Sequence, residues 1–438
     1  MPSFPKTFRV RQTFDAPRVD DIAGEVCAQL AGLQLERKVR AGQSVAVTAG
    51  SRGIANMPVI LRAAVAYLRG LGAQPFLVPA MGGHGNGTAA GQRQILESYG
   101  ITEALVGCAI RSSMETVVVC RTAEGIPVHF DRQAYEADHV LVCGRVKPHT
   151  LFAGELESGL MKMMLIGLGK CAGATVYHNA IQDYSFEQIV RSVAGEVLRK
   201  CHILAGLAIV ENAYDQTALI EAVLPADLET REKQLLLLAR KWMPRLPFPY
   251  VDVLLIDRIG KNLSGVGLDA NVVGRKFNDH KALDDEFPKV KRIALRGLTA
   301  ASHGNAIGMG VAEFCRSQLL RETDFPATRL NALVGCHMAA AMTPLDYETD
   351  REMLETALGT IGLAEPPDAK FLWIANTLQL VEVECGAAYL EEAGRRKDLE
   401  ILTPARDLPF DAAGNLPELG SWQRVELSPC VDPGGPTC

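Results

Sequence analysis

Three histidines and one lysine stand out by type and spacing. The stretch from Arg145 to Ala180 reads RVKPHTLFAGELESGLMKMMLIGLGKCAGATVYHNA. His149 sits in the segment Lys147-Pro148-His149-Thr150, which should form a loop after the apolar strand pattern from His139 to Cys143. Lys162 is the one cation in an apolar, Met-rich run from Glu157 to Leu168 that is expected to be helical. His178 lies just beyond a Gly-rich turn, sixteen residues on (178 − 162 = 16). Burying a charged ammonium is costly, so the Lys162 amine should be driven toward its neutral, nucleophilic form. Imidazoles on either side can exchange protons near neutral pH.

Other candidates lie outside this stretch. His84 is in the loop Met81-Gly82-Gly83-His84-Gly85-Asn86-Gly87-Thr88, whose glycines let backbone approach a ligand closely. Arg52 follows Ala49-Gly50-Ser51, and its fork suits a carboxylate or phosphate. A second Gly-punctuated loop runs from Lys261 through Ser264, Gly265 and Gly267 to Asn271, Gly274 and Arg275. Each has an ordinary reading too. His84 and His149 can be surface or capping histidines, and His178 a helix-end residue. Lys162 can snorkel to solvent, although Ser158 at i−4 allows one polar stripe to face a cleft. Arg52 can be a surface charge at a helix start. The Met cluster reads as core rather than as a metal site. The weight rests on their conjunction and order.

The elements that must position these residues follow a strand–helix rhythm. An edge strand is expected over Thr7 to Thr13 and a helix over Val19 to Leu30. Apolar strands at Ser44 to Thr48 and Gln74 to Val78 alternate with helices at Asn56 to Gly70 and Ala89 to Tyr99. Continuous apolar strands between helices imply a parallel sheet covered on both faces. Ligands bind such sheets at the carboxyl ends of the strands, so Arg52, His84 and His149 should share one rim. Beyond it come a helix at Ser185 to Cys201, a strand at Ala205 to Val210 and a charged helix at Pro225 to Met243. The linker Pro244-Arg245-Leu246-Pro247-Phe248-Pro249 marks a boundary near 248–251.

The second half is again α/β. Its strands are expected at Val251 to Ile256, Arg292 to Leu295 and Phe371 to Asn376. Helices are expected at Ala312 to Leu320, Ala327 to Cys336 and Asp350 to Leu363. The fold class is thus α/β, as two α/β domains with mostly parallel sheets and a cleft between them. The domains are 1–249, the catalytic one, and 250–400. Residues 401–438 form a C-terminal segment that could return to the first domain, with a mobile Pro- and Gly-rich tail from Leu427.

With 438 residues and 48% hydrophobic content, both domains can carry full cores. A net charge of −6 argues against nucleic acid. No segment is long and apolar enough to span a bilayer, and MPSFPKTFRVRQTF has no apolar signal core. The 11 cysteines are scattered singly, with no zinc spacing, as in a reduced cytoplasmic protein.

The residues AGSRG, GGHGNGT, PHTLFAG, Lys162 and His178 together resemble the nickel-pincer lactate racemase family of 2-hydroxyacid racemases and epimerases. The resemblance implies that Arg52 binds the substrate carboxylate and that His84 and His149 are the catalytic acid and base. It implies that Lys162 carries the cofactor by a thioamide, and that His178 is the protein ligand to nickel. The cofactor so implied is the nickel-pincer nucleotide, a nickel complex of pyridinium-3,5-bisthiocarboxylic acid mononucleotide, which accepts a hydride. Where the family has a short Ser-Gly-Gly stretch before the lysine, this chain has ELESGLM. In the second domain LDANVVGRKF offers Asn271 and Arg275 as substrate contacts. The implied activity is inversion of C2 of a 2-hydroxy acid, with cofactor-synthesis proteins as loading partners and no nucleic acid or membrane partner. Two other classes fit the same residues: a sugar-acid or nucleotide binding protein on the racemase scaffold, and a lyase or epimerase using Lys162 as a Schiff base.

Overall fold

The computed structural model describes residues 4–51 and 53–420, which divide into two units. Residues 14–243 form one; residues 4–13 and 244–420 belong to the other. The first strand, β1 (Thr7–Gln12), is therefore not part of the unit that follows it in sequence. It pairs antiparallel with strands near the far end of the chain, described below.

The unit 14–243 is built on a five-stranded sheet. Its strands are β2 (Ser44–Ala49), β3 (Gln74–Pro79), β6 (His139–Arg145), β7 (Ile203–Glu211) and β8 (Thr217–Val223), in the order β3-β2-β6-β7-β8. Four strands are parallel, and only β8 runs against its neighbour. Between β3 and β6 the chain makes a separate antiparallel pair, β4 (Thr116–Arg121) and β5 (Pro127–Asp131). Alternate residues face opposite cores. Val45, Val47, Leu141, Leu207 and Ile209 pack with Ile60, Leu61 and Leu68 on one side. Ala46, Val78, Val140 and Val142 pack with Leu160, Met164, Val193 and Val197 on the other. Each such side chain, once buried, contributes roughly 1.5–3 kcal/mol. Met161 and Met164 are in this core, as the apolar run implied.

The other unit carries an eight-stranded mixed sheet. Its strands are β9 (Tyr250–Ile259), β10 (Lys289–Leu298), β11 (Phe314–Arg316), β12 (Leu345–Tyr347), β13 (Phe371–Ile374), β14 (Glu382–Gly386) and β15 (Leu399–Ile401), together with β1. The order is β12-β11-β10-β9-β13-β14-β1-β15. The pairings from β12 to β13 are parallel; those from β13 to β15 are antiparallel.

Two further expectations change. Residues after 401 stay with this second unit: the Leu416 amide donates to Asp350 Oδ2 at 2.8 Å and the Leu419 amide to Asp257 Oδ2 at 2.7 Å. The helix expected over Ala312 to Leu320 is strand β11 followed by a short helix, Ser317–Arg321. Residues 421–438, which include the tail, lie outside the described residues. Among the described residues nine cysteines are all free thiols, and no helix is long and apolar enough to cross a membrane.

Candidate functional site

The site is assembled on the carboxyl ends of three adjacent strands. The loops after β2, β3 and β6 carry Ser51, His84 and His149, and these strands are neighbours in the order β3-β2-β6. Parallel pairing puts all three loops on one edge, so the expectation of a shared rim follows from topology. Arg52 lies outside the described residues. Its flanks are held: the Ser51 carbonyl accepts from Tyr99 Oη at 3.1 Å, and the Gly53 carbonyl accepts from Arg145 Nη1 at 3.2 Å.

The His84 loop is shaped by its glycines. Gly82, Gly85 and Gly87 have φ of +59°, +66° and +64°, a left-handed backbone that disfavours side chains. Gly91 opens the next helix, Ala89–Ser98, against the Gly85 carbonyl, where a Cβ would collide. These glycines thus fold the loop back on itself. His84 Nδ1 is hydrogen-bonded to Ser51 Oγ, whose hydroxyl can turn to serve either tautomer.

His149 is held differently. Its Nδ1 accepts the backbone amides of Leu151 at 3.0 Å and Phe152 at 3.1 Å. A nitrogen that accepts carries no hydrogen, so the neutral ring bears its proton on Nε2. The ring stacks on Phe152 at 4.3 Å between centroids, and Phe152 stacks on Phe186 at 3.9 Å.

Lys162 and His178 meet this aromatic shelf. Lys162 ends a three-residue helical turn, Leu160–Lys162, that runs into a π-helical turn, Met163–Gly167. The continuous helix expected over Glu157 to Leu168 is thus absent. It begins only at Leu160, after Gly159, and widens at Met163. The Lys162 amine lies 5.6 Å from the Phe152 ring centre and 6.0 Å from that of Phe186, within cation–π range. His178 is inside the helix Lys170–Ala180, not beyond a turn, with its ring 6.2 Å from that of Phe152. Burial first, and then the Lys162 charge, hold the His178 imidazole below the usual histidine range. Its Nδ1 is buried with no hydrogen-bond partner among the described residues. A neutral, buried imidazole with an unused nitrogen suits metal ligation. Among the described residues no group of three or more His, Cys, Asp or Glu side chains could hold a metal. A metal at His178 would therefore take further donors from a bound group. An amine and one open imidazole on an aromatic shelf fit a tethered group of that kind.

The sequence offers a second lysine here, and it was missed. Lys170 is fully buried at φ +53°, and its Nζ stands 2.9 Å from Asp131 Oδ2. It also donates to the Pro79 carbonyl at the end of β3 and to Gln92 Oε1 at 3.3 Å. Gln92 Nε2 in turn donates to the carbonyls of Gly82 (2.8 Å) and His84 (3.3 Å). This chain ties the start of the His178 helix to the His84 loop. Burial pushes the Lys170 ammonium down, opposed by Asp131. Its amine is used up inside the protein, which leaves Lys162 as the lysine at the shelf.

The two candidates in the other unit fare differently. Arg275 is 1% exposed and corrects the expectation of a substrate contact. Its Nη1 and Nη2 donate to Glu313 Oε1 (2.8 Å) and Oε2 (3.2 Å), and also to the carbonyls of Val311 and Val290. A guanidinium so engaged braces the sheet. Asn271 is the second residue of the short helix Ala270–Val273, and its Nδ2 donates to Asp269 Oδ1 at 2.9 Å.

Comparisons with known proteins bear on the family resemblance and the fold. Residues 25–188 match the lactate racemase N-terminal domain, a span that holds the positions of Arg52, His84, His149, Lys162 and His178 and stops short of Asn271 and Arg275. Seven solved chains match. One is the lactate racemase apoprotein from Thermoanaerobacterium thermosaccharolyticum, at 13% identity and a TM-score of 0.52, over 84% of this chain and 94% of that one. At that identity the likeness shows the α/β fold. No curated relative matches the chain. Residues 25–188 are thus similar to the lactate racemase N-terminal domain, and most of the chain shares the fold of a solved lactate racemase apoprotein.

Proposed function

We propose that this protein is an isomerase, a racemase or epimerase that inverts C2 of a small 2-hydroxy acid. One observation carries the reading: His149, Lys162 and His178 gather on the Phe152 and Phe186 rings, with a buried His178 nitrogen left unused. The C–H bond at C2 is poorly acidic, because the resulting carbanion would lie beside a carboxylate. Inversion through the 2-keto acid avoids that charge.

The residues then have separate tasks. Lys162 would hold a nickel-pincer nucleotide covalently and His178 would supply the protein ligand to nickel. Such a group, when bound, supplies a hydride acceptor. Arg52 would clamp the substrate carboxylate with its two-pronged guanidinium. His84 and His149 move the hydroxyl proton. His84, on its rotatable Ser51 partner, is able to present a lone pair; His149 presents an N–H at Nε2. The Phe152–Phe186 stack keeps water from one wall.

The test is the intact mass and metal content of protein made together with the cofactor-synthesis enzymes, beside a Lys162→Ala variant. A mass increment on the Lys162 peptide, stoichiometric nickel, and loss of both in the variant are expected, followed by turnover in a 2-hydroxyacid screen. An unmodified Lys162 without nickel, under conditions that load a known racemase, would overturn the reading.

A further inference from the structure

One helix grips both reactive loops from beneath. Helix Leu228–Trp242 docks on the core through Leu228, Leu235, Leu236 and Ala239. It also sends two polar side chains the same way. Positions 232 and 240 are about 12 Å apart along the axis and about 80° apart around it. Glu232 is 2% exposed, and its Oε2 accepts the Met161 amide at 2.8 Å, one residue before Lys162. The Leu160 amide faces the same carboxylate. A Cβ at Gly159 would collide with that carboxylate, so the glycine gives it room. Arg240 Nη2 donates to Glu157 Oε1 at 2.7 Å and to the Gly154 carbonyl at 2.8 Å. Glu157, also 2% exposed, accepts the His149 amide on Oε2 at 2.6 Å.

Stability alone does not explain these side chains. Glu232 Oε1 is buried without a hydrogen-bond partner, and a buried, half-satisfied carboxylate costs more than an apolar side chain of similar volume. What the carboxylate does achieve is local. A three-residue turn cannot support itself, because its first amides have no partner within the helix. Glu232 supplies that partner. Arg240 does the same for the His149 loop through Glu157, which stands in the ELESGLM segment.

We propose that Glu232 and Arg240 are positioning residues, which fix the Lys162 amine and the His149 imidazole in one relation to each other. The assignment rests on the racemase reading for its purpose, but not for its test. The full-length protein would be treated with a small N-hydroxysuccinimide ester, and the acylation rate of Lys162 read by peptide mass mapping, with exposed Lys38 as the internal standard. Carbethoxylation of His149 by diethylpyrocarbonate would be read in the same way.

Glu232→Leu is expected to change the Lys162 rate at least threefold with Lys38 unmoved. Glu232→Gln, which keeps an acceptor oxygen, should restore most of it. Arg240→Gln should shift the His149 rate by a similar factor. If Glu232→Leu does not fold, Gly159→Ala is read in its place, since its methyl displaces the same carboxylate. In cofactor-loaded enzyme the same variants should lower kcat with KM little changed. Folded variants with wild-type rates at Lys162 and His149 would overturn the proposal. Absence of 2-hydroxyacid turnover in the wild type would instead overturn the racemase reading, and the labelling rates would still decide this one.

Discussion

Lys170 Nζ and Asp131 Oδ2 stand 2.9 Å apart with neither side chain exposed, and between them they join the His178 helix to the β5 end of the antiparallel pair. Asp131 also caps the following turn by accepting the Ala134 amide at 2.8 Å. Removing one partner strands a charge in the core. Lys170→Met should therefore destabilise the protein by roughly 3–5 kcal/mol. Lys170→Met with Asp131→Leu should recover part of that loss. Urea unfolding of the single and double variants checks it; a single variant as stable as wild type would contradict the pair's role.

His149 should be found as the Nε2–H tautomer when neutral, because Leu151 and Phe152 both direct amides at Nδ1. Nitrogen–proton correlation spectra of the histidine rings report this directly. A hydrogen on Nδ1 of His149 would show that the loop adopts another arrangement in solution. His149→Gln should lower turnover by about 100-fold or more, the usual worth of a positioned acid or base.

Stability should fall as pH rises through the weakly acidic range, and Glu232 is the reason. Burial pushes its carboxyl up to about 7, against 4.5 in an open chain, although the Met161 and Leu160 amides oppose the shift. Between those values the folded state keeps a proton that the unfolded state has released. The contribution is complete below about pH 4.5 and is gone once pH passes about 7, and it amounts to roughly 3 kcal/mol at most. Melting curves of wild type and Glu232→Gln at about pH 5 and pH 8 measure it. The variant should show a clearly shallower decline across that interval.

Arg275→Gln should lower stability rather than raise KM. The substitution leaves Glu313 and the Val311 carbonyl without their buried donor, a loss of roughly 3–5 kcal/mol. A folded variant of unchanged stability with weakened substrate binding would return Arg275 to the substrate.

The parts of the site that were legible in the sequence are those set by strand order. Ser51, His84 and His149 follow apolar strands, and a parallel sheet places such loops on one rim. The Lys162 to His178 spacing was legible as well, although the backbone between them was not. Gly159, Gly167 and Gly169 interrupt what reads as one helix, and the widened turn at Met163–Gly167 leaves no pattern of its own. Residues recognised only through distant partners were misjudged. Arg275 after a Gly-rich loop looks like a ligand contact, but its carboxylate partner is Glu313, 38 residues away. Lys170 finds Asp131 at a similar separation. Glu232 sits in LETREKQ, where one more acid reads as solvated surface, and nothing local says that it points inward.

The placement of β1 has a consequence for how the chain is made. Thr7–Gln12 leaves the ribosome before residues 14–243, yet its partners Glu382–Gly386 and Leu399–Ile401 are translated after them. Residues 14–243 form a contiguous unit with its own core and can fold while synthesis continues. The opening strand must wait through that time with its hydrogen-bonding edges unclaimed. Three of its six residues are Arg9, Arg11 and Gln12. Such polar and cationic side chains keep an unpaired strand from pairing with another chain in the interval.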